Sequence, residues 1–83
     1  MIYYVYMLIN DKHRYTYVGY TTDLDKRLKL HNNSKGAKFT KGNNWSIIYK
    51  KRYNTKSIAM KNEYILKKNR KLRKFIKEKF LKH

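Results

Sequence analysis

Five side chains of this 83-residue chain are of types that move protons, hold anions or bind metal ions. They are Tyr6, Tyr17, Arg27, His31 and Glu63. Tyrosine and histidine exchange protons or donate hydrogen bonds, arginine binds phosphate oxygens, and a carboxylate binds hard cations such as Mg²⁺. Together they could supply the base, the cation and the metal ligand that phosphodiester hydrolysis requires.

The two tyrosines also have an ordinary interpretation. Strand tyrosines usually pack in the core with the hydroxyl at the surface, and we expect the hydroxyls of Tyr6 and Tyr17 to be exposed. A phenol with the ordinary pKa of about 10 is a poor base. A nearby Arg27, a metal ion and the positive field of the chain would lower that pKa and favour the phenolate.

The other three residues are equally ambiguous when each is taken alone. Arg27 could be a solvated helix-surface cation or a phosphate ligand. His31 could be a base, a hydrogen-bond donor to phosphate, or the cation that the dipole favours at a helix C-terminus. Glu63 lies next to an apolar helix flank, where it could bind a metal ion or form an ion pair with Lys67 or Arg70.

A β-hairpin would position the tyrosines. Residues 2–9 are rich in β-branched and aromatic side chains, which predicts a strand buried on both faces. The polar run 10–13 predicts a turn, and residues 14–20 alternate as a second strand ending near Gly19, where a close approach is possible. The hairpin would bring Tyr6 and Tyr17 together.

The remaining elements follow in the order α-β-α-α. A first helix begins after Thr22 as N-cap, and the four-residue spacing stacks Arg27 and His31 on one flank of it. Residues 34–44 form an aperiodic loop, and 45–53 have strand composition. Further N-caps are predicted at Thr55 and Asn69, each opening a helix.

The sequence therefore predicts one α+β domain, residues 1–83, of order β-β-α-β-α-α. Its three-stranded, mostly antiparallel sheet would be packed by helices.

Charge indicates the class of partner. The chain has 22 Lys and Arg residues against 5 Asp and Glu, a net charge of +17, and 14 of the 22 lie in residues 50–83. Clustered cations bind nucleic-acid phosphates by releasing counterions, and an anionic membrane surface is the rival partner. We predict that the nucleic-acid contacts include Lys35, Lys38, Lys41, Lys67 and Arg70.

The sequence shows no feature of a secreted or membrane protein. No apolar run approaches the roughly 18 residues that span a bilayer. The apolar N-terminal stretch has no basic residues before it and no small-residue cleavage site after it, and cysteine is absent. We expect an intracellular, cytoplasmic protein associated with DNA and not with a membrane.

The motifs of this sequence resemble those of the GIY-YIG nuclease superfamily, and within it those of the small stand-alone UPF0213 group. Tyr4-Val5-Tyr6 stands at the GIY motif and Tyr17-Val18-Gly19 at the YIG motif. The segments 21–32, 35–40 and 59–68 resemble the helix with the characteristic arginine, the GAKYT-type loop, and the helix with the metal-binding glutamate. Two departures are Tyr4, in place of the first glycine, and Tyr20, where some members carry lysine.

The resemblance implies a divalent-metal-dependent DNA endonuclease of the GIY-YIG fold. Tyr17 or Tyr6 would position or deprotonate the attacking water, and Arg27 would hold the scissile phosphate. His31 would lie near that phosphate, and Glu63 would bind a single Mg²⁺ or Mn²⁺ ion.

Cleavage would be structure- or strand-selective, in repair, recombination or restriction, with DNA or RNA as partner and a protein partner as a source of specificity. The alternatives are a binding module without catalysis and an RNA- or ribosome-associated basic protein. The sequence leaves the oligomeric state open.

Overall fold

Three strands and three α-helices occur in the predicted order, and the α+β prediction is confirmed. The computed structural model describes residues 1–82. The strands are β1 (Tyr3–Asn10), β2 (Thr16–Thr21) and β3 (Trp45–Tyr53). The helices are α1 (Leu24–Asn32), α2 (Lys56–Lys68) and α3 (Arg70–Leu81), and one 3₁₀ turn, Lys38–Thr40, precedes β3.

The sheet is antiparallel throughout, with β1 in the centre between β2 and β3. Tyr6 stands opposite Gly19 in β2, and the pairing of β1 with β3 shifts between Met7 and Leu8. Residues 5–10 of β1 are all buried, as predicted for a strand covered on both faces.

Helices cover both faces of this sheet. On one face Met7 and Val18 pack in a cluster with Ala59 of α2 and Ile76 of α3. We call this the α2/α3 face. On the opposite face, the α1 face, the buried side chains are Tyr6, Leu8 and Trp45, and Leu24 and Leu28 of α1 pack against them. Successive residues of β1 alternate between the two clusters because side chains of a strand point to opposite faces.

The helix starts were predicted correctly for α2 and α3 and wrongly for α1. Thr55 and Asn69 accept hydrogen bonds from backbone N–H groups three residues on, at 3.2 and 3.0 Å. The cap of α1 is Asp23 and not Thr22, since the Asp23 carboxylate accepts from the Lys26 N–H at 3.1 Å. Two good capping residues are adjacent here, and the extended backbone at Asp23 selects the second.

The segment between α1 and β3 is anchored to the rest of the fold. Asn32 accepts a hydrogen bond from the Trp45 backbone N–H at 2.6 Å and donates to its carbonyl at 3.3 Å. The Trp45 indole N–H donates to the Thr40 carbonyl at 2.9 Å, and Thr40 is fully buried. The 3₁₀ turn is therefore held against the α1 face.

The apolar side chains of the last two helices are only partly buried. Ala59 and Leu66 of α2 and Ile76 of α3 lie in the core, whereas Ile65 and Phe75 are 47% and 62% exposed. Among residues 1–82, no helix is both long enough and apolar enough to span a membrane.

Candidate active site

Tyr6 lies under the α1 face with its ring almost completely covered, at 2% exposure. The expectation of an exposed hydroxyl was therefore wrong for this residue, because α1 and the 3₁₀ turn close over it. Gly19 makes room for the phenol: a Cβ added at Gly19 would lie 2.5 Å from the Tyr6 hydroxyl oxygen. A β-carbon at this position would displace the tyrosine, so the glycine has a steric role in the site.

A continuous chain of hydrogen bonds runs inward from Tyr6. The Tyr6 hydroxyl lies 2.9 Å from Nε2 of His31, and Nδ1 of His31 lies 2.9 Å from Oγ1 of Thr40. The Thr40 hydroxyl donates to the Ala37 carbonyl at 2.8 Å. All three linked side chains are buried.

The end of this chain assigns the proton positions. A threonine hydroxyl has a single hydrogen, and here it is used on the Ala37 carbonyl, so Thr40 can only accept from His31. The proton of the neutral imidazole therefore lies on Nδ1, and the bare Nε2 accepts the hydrogen bond from Tyr6. Tyr6 is a donor to His31 in the resting site.

The pKa values agree with this assignment. Burial, with a smaller contribution from Tyr17, raises the pKa of the Tyr6 phenol to about 12, and Glu63 acts in the same direction. Arg27 opposes the shift without overcoming it. Burial and, second, the charge of Arg27 lower the pKa of His31.

Two sequence-based interpretations are revised. Arg27 lowers the pKa of Tyr6 as predicted, but the net shift is upward, because desolvation of the buried phenol outweighs the attraction of the cation. His31 is neutral at pH 7 and is not the cation of the α1 C-terminus, because its pKa lies below the ordinary value.

Gly36 is a second glycine against this site. A Cβ built on Gly36 would overlap the imidazole of His31 at Nδ1. The loop backbone thus closes over the ring between α1 and the 3₁₀ turn, and it can do so only without a side chain at this position.

Tyr17 occupies the outer side of the same site. Its ring centroid is 6.4 Å from that of Tyr6 and 5.0 Å from that of His31. Unlike Tyr6, it is only partly buried and lines a surface cavity of about 250 Å³ with Phe39, Lys67 and Arg73. Of the two phenols, Tyr17 is the one in contact with a solvent-filled space.

Arg27 and Glu63 reach the site from different helices. Arg27 precedes His31 by one turn of α1, and its Nε is buried with no hydrogen-bond partner in the described part of the chain. Glu63 lies on α2, which packs against β1 and β2, with a side chain only 18% exposed. Both charges act on the pKa of Tyr6, Arg27 lowering it and Glu63 raising it.

The residues fit one particular kind of metal site. Among residues 1–82, no group of three or more His, Cys, Asp or Glu side chains could form a cage for a metal ion. Glu63 is a lone carboxylate. Its Oε1 lies 3.5 Å from Nζ of Lys67, which is one of the two ion pairs predicted as the alternative to metal binding. A lone carboxylate suits Mg²⁺ or Mn²⁺ if water and substrate phosphate supply the other ligands.

The predicted nucleic-acid contacts are all on the surface. Lys35, Lys38 and Lys41 are exposed on the loop after α1, and Lys67 and Arg70 are exposed around the α2–α3 junction. The loop and the junction both border the tyrosine site, through Phe39 and Lys67.

Sequence reasoning missed Thr40, Gly36, Phe39 and Arg73. Thr40 lies in an aperiodic loop that has no burial signal of its own. Its only signal was the similarity of residues 35–40 to the GAKYT-type loop. Arg73 lies one helical turn after Arg70, on the same face of α3. It could therefore have been added to the predicted nucleic-acid contacts.

Comparison with known proteins shows the family to which the chain belongs. The family model of the GIY-YIG catalytic domain matches residues 2–76. The chain belongs to the GIY-YIG family. The resemblance predicted for the tyrosine motifs is thereby confirmed, and Tyr6 and Gly19, which touch in the site, come from its two name-giving motifs.

Relatives of this GIY-YIG chain carry the name UPF0213. It is 44% identical over 66 residues to the UPF0213 protein OB0043 of Oceanobacillus iheyensis, covering 77% of this chain and 74% of the relative. It is 42% identical over 76 residues to a UPF0213 protein of Bacillus velezensis, covering 88% and 75%. The solution NMR structure of the UPF0213 protein BH0048 from Bacillus halodurans has a TM-score of 0.54 and 37% identity, covering 92% and 83%.

Proposed function

We propose that this GIY-YIG domain is a divalent-metal-dependent endonuclease that hydrolyses DNA phosphodiester bonds, selecting by structure or strand. The observation that carries the proposal is the buried hydrogen bond between Tyr6 and His31, with Arg27 and Glu63 close enough to shift the pKa of the phenol. A solvated aromatic surface would need neither the buried imidazole nor the two charges.

The resting proton positions suggest how the site would take a proton from water. Tyr6 alone is a weak base at neutral pH, because its proton is held with a pKa of about 12. Its hydrogen bond to Nε2 of His31 offers another route. The proposed step requires a water, bound with the substrate, that reaches the Tyr6 hydroxyl, which the resting fold covers. The phenol oxygen accepts a proton from that water while its own proton passes to His31, and Thr40 accepts the hydrogen bond of the resulting imidazolium.

Tyr17 and Arg27 would complete the substrate side of the site. Tyr17 borders the open cavity, where its hydroxyl can orient the attacking water or a phosphate oxygen. The guanidinium of Arg27 would bind the scissile phosphate, whose charge would supply the partner that its buried Nε lacks among residues 1–82.

Glu63 would hold Mg²⁺ or Mn²⁺. When bound, the ion would polarise the phosphate and stabilise the leaving oxygen.

A second candidate is a nucleic-acid-binding module without catalysis, whose partner could also be RNA. The net charge of +17 supports binding by itself, and the Glu63–Lys67 ion pair gives the carboxylate a structural role without metal. We also propose that the protein acts in repair, recombination or restriction in association with the nucleoid, and that a protein partner supplies specificity.

The decisive test is Glu63→Ala in cleavage assays on labelled duplex, single-stranded and branched DNA, with Mg²⁺ or Mn²⁺ titrated. We expect metal-dependent nicking by the unmodified protein and a loss of about 100-fold or more in the variant, since the metal stabilises charge only in the transition state.

The matched control is Glu78→Ala, because Glu78 is exposed on α3, pairs with Lys74 and does not act on the pKa of Tyr6. The control should retain full activity. Cleavage that survives in Glu63→Ala would rule out the metal role, and absence of cleavage on every substrate would favour the binding module.

A further inference from the structure

Next to the tyrosine site lies a group of aromatic rings that extend from the core to the surface. We call Tyr15, Tyr17 and Phe39 the aromatic ledge. Phe39 is 57% exposed and Tyr15 is 49% exposed. The Phe39 ring lies nearly parallel to that of Tyr17 at 21° and 6.4 Å, and Tyr15 meets it edge-on at 6.0 Å. Phe39 also lies 6.2 Å from the ring of Trp45, and the exposed part of its side chain is available to a planar ligand.

Cations border the open side of this ledge. The cavity of about 250 Å³ that contains Tyr17 and Phe39 is also lined by Lys67 and Arg73. The Nε of Arg73 is buried, and no group in residues 1–82 accepts its hydrogen bond.

A second, basic hollow adjoins the cavity. It has a volume of about 230 Å³, shares Thr16 and Arg73 with the cavity, and is otherwise lined by Arg70, Lys74 and Lys77. Rings on one side and a row of cations on the other are the two components of sites for single-stranded nucleic acid.

The position of the ledge ties it to the candidate active site. Tyr17 belongs to both, since its ring also lies 5.0 Å from His31. Phe39 directly precedes Thr40, which holds the other side of that imidazole. The ledge and the candidate active site therefore share Tyr17 and are joined through the Phe39–Thr40 segment.

We propose that the aromatic ledge binds an unpaired nucleotide of single-stranded DNA, with its base stacked on Phe39 and its phosphate on Arg73. The proposal rests on the proposed function, and it narrows the substrate to DNA that is single-stranded beside the cleaved bond. In a duplex both faces of each base are covered by neighbouring pairs, so the open ring could stack only on an unpaired base. A second copy of this chain is a poor occupant, because its net charge of +17 repels the basic hollow.

The test measures binding of a fluorescent single-stranded DNA oligonucleotide and of the corresponding duplex in EDTA, which separates affinity from cleavage. Phe39→Leu removes the ring and keeps an apolar side chain, whereas Phe39→Trp keeps a ring. Since stacking on one ring contributes about 1–3 kcal/mol, Phe39→Leu should weaken single-strand binding about 5- to 150-fold. Duplex affinity should change less than about twofold, and Phe39→Trp should bind as the unmodified protein does.

Two further variants separate the ledge from general effects. Phe75→Leu changes another exposed aromatic residue, on α3 outside the cavity of the ledge, and should leave binding unchanged. Arg73→Gln should reduce the slope of log affinity against log salt by about 0.7 for single-stranded DNA, as expected for one lost phosphate contact. Circular dichroism should establish that each variant is folded. If Phe39→Leu is unfolded, quenching of the added indole in Phe39→Trp by single-stranded but not duplex DNA takes its place.

The possible outcomes separate this proposal from the proposed function. Equal losses on single strand and duplex, or no loss in Phe39→Leu, would overturn the ledge while leaving the nuclease proposal intact. A stronger ring dependence for single-stranded RNA than for DNA would overturn the choice of DNA. No binding to any nucleic acid at low salt would overturn both proposals.

Discussion

The two faces of the sheet bury their side chains by different means. The α2/α3 face is filled by apolar groups such as Met7, Ala59 and Leu66, whose contacts have little directionality. The α1 face buries Tyr6, His31 and Thr40, each with its polar atom in a hydrogen bond at about 2.9 Å. Burial of polar groups costs free energy unless every group is paired, so the α1 face depends on precise geometry. The buried apolar cluster of the first face should determine stability, and the hydrogen-bonded cluster of the second should determine the proton chemistry of Tyr6.

The largest expected difference between the two faces should appear when one buried side chain is truncated on each face. Met7→Ala should lower the free energy of unfolding by about 2–5 kcal/mol, because it leaves a cavity in a fully buried position. Tyr6→Phe removes only an oxygen. It should cost about 1–3 kcal/mol for the unpaired His31 and reduce the proposed cleavage about 100-fold or more. Urea unfolding and single-turnover cleavage measure the two quantities.

Tyr20→Phe is the matched control for Tyr6→Phe. Tyr20 is a tyrosine of the same hairpin that packs, partly buried, against the α2/α3 cluster. It should change stability by less than about 0.5 kcal/mol and leave cleavage unaltered. Equal effects of the two tyrosine substitutions on cleavage would show that the faces do not divide the work in this way.

The two faces should also differ in how their contribution to stability depends on pH. Among residues 1–82, His31 is the one buried titratable residue of the α1 face with a lowered pKa. As pH falls below the ordinary histidine pKa of about 6.5, the unfolded chain binds this proton before the folded chain does. Stability should therefore fall with decreasing pH from about 6.5 to the lowered pKa, by up to about 1.4 kcal/mol for each pH unit. Above pH 6.5 this contribution is constant.

The measurement is urea unfolding between pH 5 and 8, compared with His31→Gln. The variant lacks the titrating group and should lose that part of the slope, while His13→Gln, an exposed histidine in the hairpin turn, should keep it. A slope that is the same in all three proteins would contradict a buried neutral imidazole in the folded state.

The sequence predicted more of the α2/α3 face than of the α1 face. Local structure depends on residue types and on their periodicity. The strands, their order and the caps at Thr55 and Asn69 could therefore be predicted. The five site residues could be named because their side-chain chemistry is visible in the sequence. The pKa of Tyr6 could not be predicted, because the cation Arg27 is visible in the sequence and the burial that outweighs it is produced only by packing of α1.

Thr40 shows the same limit at a single residue. A threonine in an aperiodic loop has many equivalent environments, and this one is distinguished by its hydrogen bond with His31 of α1. The division of labour between the faces therefore follows from contacts between residues distant in sequence, such as the 25-residue separation of Tyr6 and His31.

The smallest expected effect, and the finest test of the α1 face, is the loss of one hydroxyl at Thr40. Thr40→Val keeps the shape and removes the acceptor for Nδ1 of His31, while Thr40→Ser keeps the hydroxyl. We expect Thr40→Val to cost about 1 kcal/mol and Thr40→Ser less, in proportion to the hydrogen bonds retained. The ¹⁵N NMR shifts of the His31 ring report the protonated nitrogen directly, in a way that stability does not. Nδ1 should carry the proton in the unmodified protein and in Thr40→Ser, and Nε2 should gain proton occupancy in Thr40→Val. A proton on Nε2 in the unmodified protein would make Tyr6 the acceptor of that bond, which would remove the proposed proton route from Tyr6 to His31.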